Sequence, residues 1–335
     1  MTTAGPLAET AETKLLNLTT GYVVTAALGA TTAAGVFDSM DQRPTSVELV
    51  AEARGLHPRA LLRVLRCLAP AGVVTESESG HFALTDIGML LRTDTPGSLR
   101  DWVVMNGTLM YPAFAELHAS LRDEQPCFER ALGAPLFEWL AQDPDKAATF
   151  TRAMGNFNTQ ATLDAVDTCD FADVRHVVDI GGGSGAVLAR ILELAPQAHG
   201  TLFDLPHIAA AATPADASRF TAVGGDFFVE VPRGGDVYVL AWILHDWTDD
   251  QCIQILRNIR HAAGEHGRLA VFETLLPGGD EPHLGKSLDV GMLVVTGGRE
   301  RSIEEYRELF AASGFELTRT IGNPGPLSAI LAVSV

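Results

Sequence analysis

The chain has 335 residues, of which 47% are hydrophobic, so it can bury a sizeable core in one large domain or two ordinary ones. Its 24 Lys and Arg residues against 42 Asp and Glu residues give a formal net charge of −18. Because no run of Lys or Arg interrupts this acidity, the composition argues against generic binding to nucleic-acid phosphates or to anionic membranes.

The cysteines and the first residues bear on the cellular compartment. The four cysteines lie far apart and form no C-x-x-C pair, which indicates neither a zinc site nor a disulfide framework. The opening sequence MTTAGPLAETAETK lacks a basic region followed by an apolar one, and Thr and Gly interrupt the most apolar early stretch, Gly21 to Phe37. We therefore expect a cytoplasmic protein that does not span a membrane.

Residues 1–100 are predicted to form a mainly helical domain. From Lys14 to Phe37 the larger apolar residues recur at helical spacing among Gly and Ala residues, which let another helix approach closely. This segment fits either an intrachain core or a helical dimer interface. The elements predicted next are a helix from Pro44 to Gly55, a helix from His57 to about Leu68, and strands over Val73 to Glu76 and His81 to Leu84.

That order of helix, turn, helix and small hairpin is the winged-helix pattern, which is common among DNA-binding proteins. Between Arg43 and Arg92 six arginines stand against five acidic residues, a surplus of only one. A DNA reader usually presents a basic face. We therefore predict a structural or dimerising module in preference to a nucleic-acid reader.

Residues 101–170 are predicted to be a helical linker that also forms a wall of the substrate pocket. Aromatic and Met residues are scattered along it, and such residues are more often helix core than ligand contacts. Their density ahead of a nucleotide-type domain nevertheless favours a pocket wall.

Residues 171–335 show the alternation of strands and helices that is typical of a parallel, doubly wound sheet. The predicted strands are His176 to Ile180, Thr201 to Phe203, Phe220 to Val223, Val237 to Leu240 and Leu269 to Phe272. The predicted helices lie near Ala186 to Leu194, His207 to Ala212, Asp249 to Ala263 and Ile303 to Ser313. Two last runs, Phe315 to Ile321 and Leu327 to Val333, are separated by too few residues for a crossover, so they predict an antiparallel hairpin at the sheet edge.

The string VVDIGGGSGAVLARIL is a buried strand that runs into a glycine loop and then a helix. Gly181, Gly183 and Gly185 allow tight turns and close approach to a ligand, and the helix N-terminus favours a carboxylate or phosphate. Asp179 precedes the glycines. Asp204 closes the next strand 21 residues after Gly183, where a carboxylate can accept both hydrogen bonds of a ribose diol. These residues predict a nucleotide-cofactor site.

Two cofactors fit this loop. Gly181, Gly183 and Ala186 satisfy the dinucleotide pattern G-x-G-x-x-A, so a nicotinamide cofactor is one reading. That fingerprint is usual on the first strand of a full Rossmann domain, whereas this one follows about 175 residues of helical material. An acid followed by Gly-x-Gly-x-Gly suits S-adenosylmethionine, which is the cofactor we favour.

Five strings in this order resemble the small-molecule O-methyltransferases of the plant caffeate and bacterial polyketide or phenazine type. They are DIGGGSG from Asp179, FDLPH from Phe203, GGDFF from Gly224, LHDWTDDQC from Leu244 and GGRERS from Gly297. The resemblance covers nearly the whole chain and implies a winged-helix dimerisation domain followed by a Rossmann-like methyltransferase domain. It also implies a homodimer that takes S-adenosyl-L-methionine and a small-molecule acceptor and releases S-adenosyl-L-homocysteine.

The resemblance also assigns cofactor residues. It implies that Gly181 lies against the methionine part of the cofactor and that Asp204 holds the ribose with Leu205 beside the adenine. Asp226 and Phe227 would flank the adenine ring. The residues themselves agree, because an acceptor and an aromatic face stand together after a predicted strand. For Asp226 an ordinary turn or helix cap is the competing interpretation.

Transfer of a methyl group from a sulfonium to a phenol requires alignment and removal of the phenolic proton, for which His is suited. Among ten His residues, His245 follows the strand Val237 to Leu240 at the end where ligands bind in α/β sheets. A buried core histidine is the competing interpretation. The resemblance gives His245 the role of general base and places Glu273 and Glu300 beside it, where carboxylates orient an imidazole.

The acceptor is less defined. By resemblance, Met154, Asn106 and Asp246 correspond to residues that sandwich or hydrogen-bond a phenolic ring. The plant enzymes have an Asn just before the Gly-Gly pair, where this chain has Val294-Val295-Thr296, and a Lys where this chain has Ala241. We therefore expect an acceptor other than caffeate, such as an aromatic product of bacterial secondary metabolism, and one polar cofactor contact fewer.

Several alternatives stay open at this stage. A winged-helix regulator that senses a metabolite is one. A methyltransferase fold with different chemistry, or with nitrogen or carbon as the methylated atom, is another. The retention of His245, Glu273 and Glu300 favours O-methylation. No second His accompanies His245 in the string from Leu293 to Gly298, so no metal is predicted.

Overall fold

The computed structural model describes residues 10–212, 218–322 and 327–335, all of them to the side chain except residues 156–158. The chain divides into two compact units. The first contains the residues up to Ala115 together with Phe137–Phe157, and the second contains Glu116–Leu136 and Asn158–Val335. The segment 101–170 therefore contributes to both units.

The first unit begins with helices and a small sheet. Its elements are α1 (Ala11–Thr19), α2 (Gly21–Ala33), β1 (Thr45–Ser46), α3 (Val47–Arg54), α4 (Pro58–Leu68), β2 (Val74–Glu78), β3 (His81–Leu84), α5 (Asp86–Met89) and α6 (Arg100–Val104). The sheet has the order β1-β3-β2 and is antiparallel. Ser46 caps α3 by accepting from the Glu48 N–H, and Gly55 ends it with a φ of 66°. The helix, helix and hairpin predicted here are confirmed.

The predicted helical stretch from Lys14 is two helices, separated at Thr20. No residue of α1 is buried, and Leu15, Leu16 and Leu18 are each at least 60% exposed. The apolar side chains of α1 therefore do not serve the core of this unit. That core lies between α3, α4 and the sheet, around residues such as Val50 and Leu65.

The remaining helices before the large sheet are short, with one exception. They are a π-helical turn (Met105–Met110), a 3₁₀ segment (Tyr111–Glu116), α7 (Leu117–Asp123), α8 (Phe128–Leu132), α9 (Leu136–Ala141) and α10 (Pro144–Val166). The long helix α10 supplies its first residues to the first unit and its last residues to the second. The helical character predicted for this segment is confirmed.

The second unit is built on a seven-stranded sheet. Its elements are β4 (His176–Ile180), α11 (Ala186–Leu194), β5 (His199–Asp204), α12 (Pro206–Ala209), β6 (Phe220–Gly224), β7 (Val237–Ala241), α13 (Asp249–Ala263), β8 (Arg268–Thr274), α14 (Leu284–Val295), α15 (Ile303–Ala312), β9 (Phe315–Gly322) and β10 (Leu327–Ser334). The strand order is β6-β5-β4-β7-β8-β10-β9. Strands β4 to β8 run parallel, and β10 pairs antiparallel with both β8 and β9.

The predicted α/β sheet with an antiparallel edge hairpin is therefore confirmed. The last strand, β10, lies between β8 and β9, so β9 is the edge strand. The turn predicted between β9 and β10 lies mostly outside the described residues. Helix α14 was not predicted. Apolar clusters cover both faces of the sheet. Because β4, β5, β7 and β8 run parallel, their carboxyl ends lie at one edge of the sheet. Within the described part of the chain, no helix is both long and apolar enough to cross a bilayer.

Candidate active site

The residues Gly181–Gly185 connect β4 to α11, and we call them the glycine loop. Gly181, Gly183 and Gly185 have φ values of 68°, 55° and 82°, in the left-handed region that disfavours a side chain. A Cβ on Gly183 would meet nothing within 4 Å, so this residue faces open space. A Cβ on Gly181 would lie 2.4 Å from Cδ1 of Ile243. The loop therefore requires glycine both for its backbone and for its packing.

Asp204 joins the glycine loop to the end of β5. The Gly183 N–H donates to its Oδ2 at 2.9 Å, and the Leu205 N–H donates to its Oδ1 at 2.7 Å. The Leu205 side chain is 50% exposed beside it. The carboxylate and the apolar side chain that the sequence assigned to a ribose and an adenine therefore lie next to the loop.

Asp226 and Phe227 follow β6. Asp226 is exposed, and its Oδ1 accepts from the Phe228 N–H at 2.8 Å, so it also serves the turn that was the competing interpretation. The Phe227 ring packs edge to face on Phe228 and Trp247, with ring centroids 4.9 Å and 5.9 Å away. The turn thus presents an acidic group beside an aromatic cluster.

Asp179 lies beneath the glycine loop and is buried. Its Oδ2 has no hydrogen-bond partner in the described part of the chain, and a Cβ on Gly182 would lie 2.7 Å from it. Burial, and after it the negative charge of Asp204, raises the pKa of the Asp179 carboxyl to about 7. An unpaired carboxylate in this place favours a ligand that brings positive charge.

Four residues form a second group, which we call the histidine cluster: His245 and Asp246 after β7, Glu273 near the end of β8, and Glu300 between α14 and α15. His245 lies on a 3₁₀ turn (Leu244–Asp246) and is only 8% exposed. Its Nδ1 is 3.0 Å from Oε1 of Glu300 and 3.9 Å from Oε2 of Glu273. Its Nε2 is 4.0 Å from Oδ1 of Asp246, beyond hydrogen-bond distance.

The two glutamates of the histidine cluster have different duties. Glu300 is the hydrogen-bond partner of the imidazole and receives its own backbone support from Asp289, whose Oδ1 accepts the Glu300 N–H. Glu273 accepts the N–H groups of Ile243 and Leu244 on Oε1, at 2.9 Å and 2.8 Å. Glu273 therefore holds the backbone that carries the imidazole, while Glu300 holds the ring.

The charges of the histidine cluster shift the ionisation of its members. Burial acts to lower the pKa of His245, but the negative charges of Glu273, Asp246 and Glu300 outweigh it and raise that pKa to about 10. Burial raises the pKa of Glu273 to about 7, against the opposing effect of the imidazole charge. Burial also raises the pKa of Asp246. Each of these groups therefore holds its proton more tightly than it would in water.

Sequence reasoning missed Arg301, which holds the turn that bears His245. Its guanidinium is fully buried and donates from Nη1 to the Leu244 carbonyl and from Nη2 to the Trp247 carbonyl, both at 2.8 Å. Nη2 also donates to Oδ1 of Asp249. The residue stands in the string GGRERS, but an Arg in a polar loop is ordinarily solvated, so its spacing carried no signal.

The histidine cluster is also a possible metal site. His245, Glu273 and Glu300 each offer a donor atom, and these atoms lie within 4.8 Å of one another, the only such grouping among the described residues. The distance of 3.0 Å between Nδ1 and Glu300 Oε1 is that of a hydrogen bond. A metal ion would have to replace the proton shared there, since zinc binds nitrogen and oxygen at about 2 Å. The expected absence of a metal stays a prediction.

The three predicted acceptor residues fall in different units. Asp246 is half-buried within the histidine cluster of the second unit. Asn106 lies on the π-helical turn of the first unit, and its Nδ2 donates to the Trp102 carbonyl at 3.0 Å. Met154 is half-buried on the part of α10 that belongs to the first unit. Only Asp246 is therefore brought together with His245 inside one unit.

Comparison with known proteins identifies both parts of the chain. Residues 114–316 match the family model of an O-methyltransferase domain, and residues 16–94 match that of an O-methyltransferase dimerisation domain. The phenazine O-methyltransferase PhzM of Lysobacter antibioticus is 42% identical over 95% of this chain and 95% of its own. The aclacinomycin 10-hydroxylase RdmB of Streptomyces purpurascens is 34% identical over 88% of this chain and 79% of its own.

A solved structure has the same fold with ligands bound. The O-methyltransferase NcsB1 from neocarzinostatin biosynthesis, in complex with S-adenosylmethionine and 2-hydroxy-5-methyl naphthoic acid, is 31% identical. The match covers 93% of this chain and 96% of that one, with a TM-score of 0.80. With both family models matched in order along the sequence, this chain belongs to the S-adenosylmethionine-dependent O-methyltransferase family.

Proposed function

We propose that this chain methylates a hydroxyl group of a small aromatic secondary metabolite, using S-adenosylmethionine as donor and His245 as general base. The observation that carries the proposal is the orientation of the imidazole. Its Nδ1 is held by Glu300 at 3.0 Å, while its Nε2 is 4.0 Å from the nearest acid, Asp246. One nitrogen is therefore committed to an orienting carboxylate, and the other can receive a proton.

The residues around the glycine loop fit the cofactor. S-adenosylmethionine supplies, when bound, an activated methyl group on a sulfonium, together with an ammonium, a carboxylate and an adenosine. The unpaired, buried Oδ2 of Asp179 suits positive charge, and the open space at Gly183 admits close approach. Asp204 offers a carboxylate to a ribose diol, and Leu205 with Phe227 offers apolar surface to adenine. We assign these residues, with Gly181 and Asp226, to cofactor binding.

The chain's own residues would then handle the acceptor proton. Nε2 of His245 takes the proton of the hydroxyl as the oxygen gains its bond to carbon. Glu300 accepts the hydrogen bond of the Nδ1–H and, with Glu273, stabilises the imidazolium that results. Positioning of the acceptor contributes a further part of the rate enhancement. We assign this positioning to Asn106, Met154 and Asp246.

The ionisation of His245 sets a condition on this role. A base must be neutral before it accepts a proton, whereas the three carboxylates raise the pKa of the imidazole to about 10 in the protein without ligands. A cationic ligand beside the cluster lowers that pKa, because like charges repel. Activity is therefore expected to increase as the pH rises above neutrality.

We further propose a homodimer that acts in the cytoplasm without nucleic acid, membrane or metal. The match to a dimerisation domain and the exposed apolar side chains of α1 support the dimer. The acidic net charge of −18 supports the absence of nucleic-acid and membrane partners. The relatives named for phenazine and naphthoic acid support a fused aromatic acceptor with a hydroxyl group. Sedimentation velocity tests the dimer directly.

The experiment for the main proposal is His245→Ala in an assay of S-adenosylhomocysteine release with hydroxylated phenazines and naphthoic acids. Loss of a general base should lower kcat by about 10² to 10⁴ while cofactor affinity changes little. His118→Ala, at an exposed position on α7, is the matched control and should keep full activity. Near-normal kcat in His245→Ala at pH 7 would mean that the base assignment is wrong.

A second candidate is a methyltransferase fold with other chemistry, favoured by the likeness to a protein named as a hydroxylase. The retained His245, Glu273 and Glu300 favour methyl transfer. The two are separated by product analysis. Formation of one equivalent of S-adenosylhomocysteine per O-methylated acceptor supports the proposal, and a hydroxylated product without S-adenosylhomocysteine supports the alternative.

A further inference from the structure

Trp242 has a backbone conformation that bulky residues avoid. Its φ is 57°, and among the described non-glycine residues only Glu124 also has a positive φ. Glu124 occupies the C-cap of α7, where left-handed conformations are ordinary. Trp242 instead follows the last residue of β7 and begins the segment that leads to His245. Such an outlier persists only where its surroundings impose it, and these conformations cluster at functional sites.

The surroundings of Trp242 hold both its backbone and its ring. Its N–H donates to the Phe272 carbonyl of β8 at 3.1 Å. Its indole Nε1 donates to Oγ1 of Thr162 at 2.9 Å, and Thr162 is only 2% exposed on the last turns of α10. The sheet therefore fixes the backbone of Trp242, and a buried hydroxyl fixes its ring.

The ring of Trp242 lies against the imidazole of His245. The two ring centroids are 5.4 Å apart, with 55° between the planes. The other groups that face this imidazole are charged: Glu273 from β8, Glu300 from the segment after α14, and Asp246 from its own turn. The indole is thus an apolar group against an imidazole that three carboxylates also face.

We propose that Trp242 is a positioning residue for His245. The Thr162 hydroxyl fixes the indole, and the indole restricts rotation of the imidazole, so that Nδ1 stays on Glu300 and Nε2 stays available to the acceptor. The left-handed backbone at Trp242 turns the chain so that the indole ring lies beside the imidazole. The inference rests on the proposed function, because it gives Trp242 a role only if His245 acts as the base.

The contact between Thr162 and Trp242 provides the most selective test. Thr162→Val removes the hydroxyl and keeps the shape, whereas Thr162→Ser keeps the hydroxyl and removes a methyl group. We expect Thr162→Val and Trp242→Phe each to lower kcat by about 5- to 20-fold, since a loosened base loses alignment. Thr162→Ser should stay within about twofold of the wild type, and KM for the cofactor should not move. Thr318→Val makes the same Thr-to-Val change at an exposed position on β9 and should be silent.

A second readout does not depend on the acceptor. In ¹³C-histidine-labelled protein, the His245 resonance is the one absent from His245→Ala. Its titration midpoint should shift in Trp242→Phe and Thr162→Val and stay unchanged in Thr162→Ser and Thr318→Val. A loss of fold alone would lower the melting temperature without this selectivity. If Trp242→Phe does not fold, the comparison of Thr162→Val with Thr162→Ser decides, and equal kcat and equal midpoints in those two variants would overturn the inference.

A double-mutant cycle separates this inference from the proposed function. If Trp242 acts through His245, Trp242→Phe should cost less than about twofold further in a His245→Ala background. The same loss in both backgrounds would overturn the inference and leave the base assignment intact. Near-normal kcat in His245→Ala alone would overturn the proposed function, and this inference with it.

Discussion

Acidic residues stand at two places along one edge of the large sheet, and their surroundings differ. Asp204, the last residue of β5, accepts hydrogen bonds from the backbone N–H groups of Gly183 and Leu205. Asp226, which follows β6, accepts one from the N–H of Phe228. Glu273 and Glu300, after β8 and α14, are buried with a histidine between them. Under the proposed function the first pair contributes to cofactor binding, and the second pair stabilises the protonated imidazole.

Under the proposed function, this difference in surroundings separates cofactor binding from proton transfer. The parallel strands bring both groups to the same edge, as in other open α/β sheets. Beside the glycine loop, Asp204 accepts hydrogen bonds from two backbone amides and is only half-buried. At the histidine cluster, burial and mutual repulsion raise the pKa of Glu273, and the acids together raise that of His245. Burial and neighbours, not residue type, therefore divide the two roles.

The largest binding effect is expected from Asp204→Ala. This change removes the carboxylate at the end of β5 and should weaken S-adenosylmethionine binding by about 1.5 to 3 kcal/mol, the scale of lost charge-assisted hydrogen bonds. Isothermal titration calorimetry measures it, with Asp173→Ala, an exposed acid, as the control. Unchanged affinity in Asp204→Ala would show that the ribose binds elsewhere.

Burial of the Asp179 carboxyl should lower the free energy of unfolding at neutral and higher pH. Its folded-state pKa of about 7 exceeds the ordinary carboxyl value of about 4, so the folded protein loses stability as the pH rises from about 4 to 7. Asp179→Asn removes this cost and should stabilise the cofactor-free protein by about 2 kcal/mol at pH 8. The gain should disappear below about pH 4.

Urea unfolding at the two pH values measures the Asp179→Asn effect. Asp173→Asn serves as the control, because that acid is exposed. A variant that is equally destabilised at both pH values would contradict the account of a strained, buried carboxylate.

Substitutions of the two glutamates of the histidine cluster should lower kcat by different amounts. Glu300→Gln alters the hydrogen bond to the imidazole and should lower kcat by about tenfold or more. Glu273→Gln can still accept the N–H groups of Ile243 and Leu244 through its amide oxygen, so its loss should be smaller. Steady-state kinetics with Glu316→Gln as an exposed control tests the ranking. The reverse order would mean that Glu273, not Glu300, orients the ring.

Chelation should have the smallest effect. Because the distance of 3.0 Å between His245 Nδ1 and Glu300 Oε1 is that of a hydrogen bond, we expect kcat to be unchanged after extensive treatment with a chelator. Loss of activity that only one divalent ion restores would mean that the histidine cluster binds a metal ion.

Strand runs and glycine positions made much of this fold predictable. A buried apolar run followed by glycines predicted β4 and its loop, and the end of the next apolar run predicted the position of Asp204 at the end of β5. The hydrogen bond from the Gly183 N–H to Asp204 was not predicted. Helix α14 was missed because its apolar residues do not form a clean stripe and Gly285 and Gly291 weaken the helical signal.

The histidine cluster was predictable only in part. The family resemblance, and not spacing, predicted that Glu273 and Glu300 lie beside His245. Which glutamate bonds the ring depends on side-chain conformations that no spacing encodes. The buried guanidinium of Arg301 and the left-handed backbone of Trp242 depend on tertiary contacts between distant segments. Local sequence patterns do not report such contacts.

The most direct test is the pH dependence of kcat/KM for the acceptor in wild type and His245→Ala at saturating cofactor. Because the neighbouring acids raise the pKa of His245 to about 10 without ligands, the wild-type profile should rise with pH. Its midpoint should lie above the ordinary histidine value of about 6.5. His245→Ala should lose that step and regain activity only as the acceptor itself ionises. A wild-type profile that is flat from pH 6 to 10, or one that His245→Ala leaves unchanged, would contradict the account.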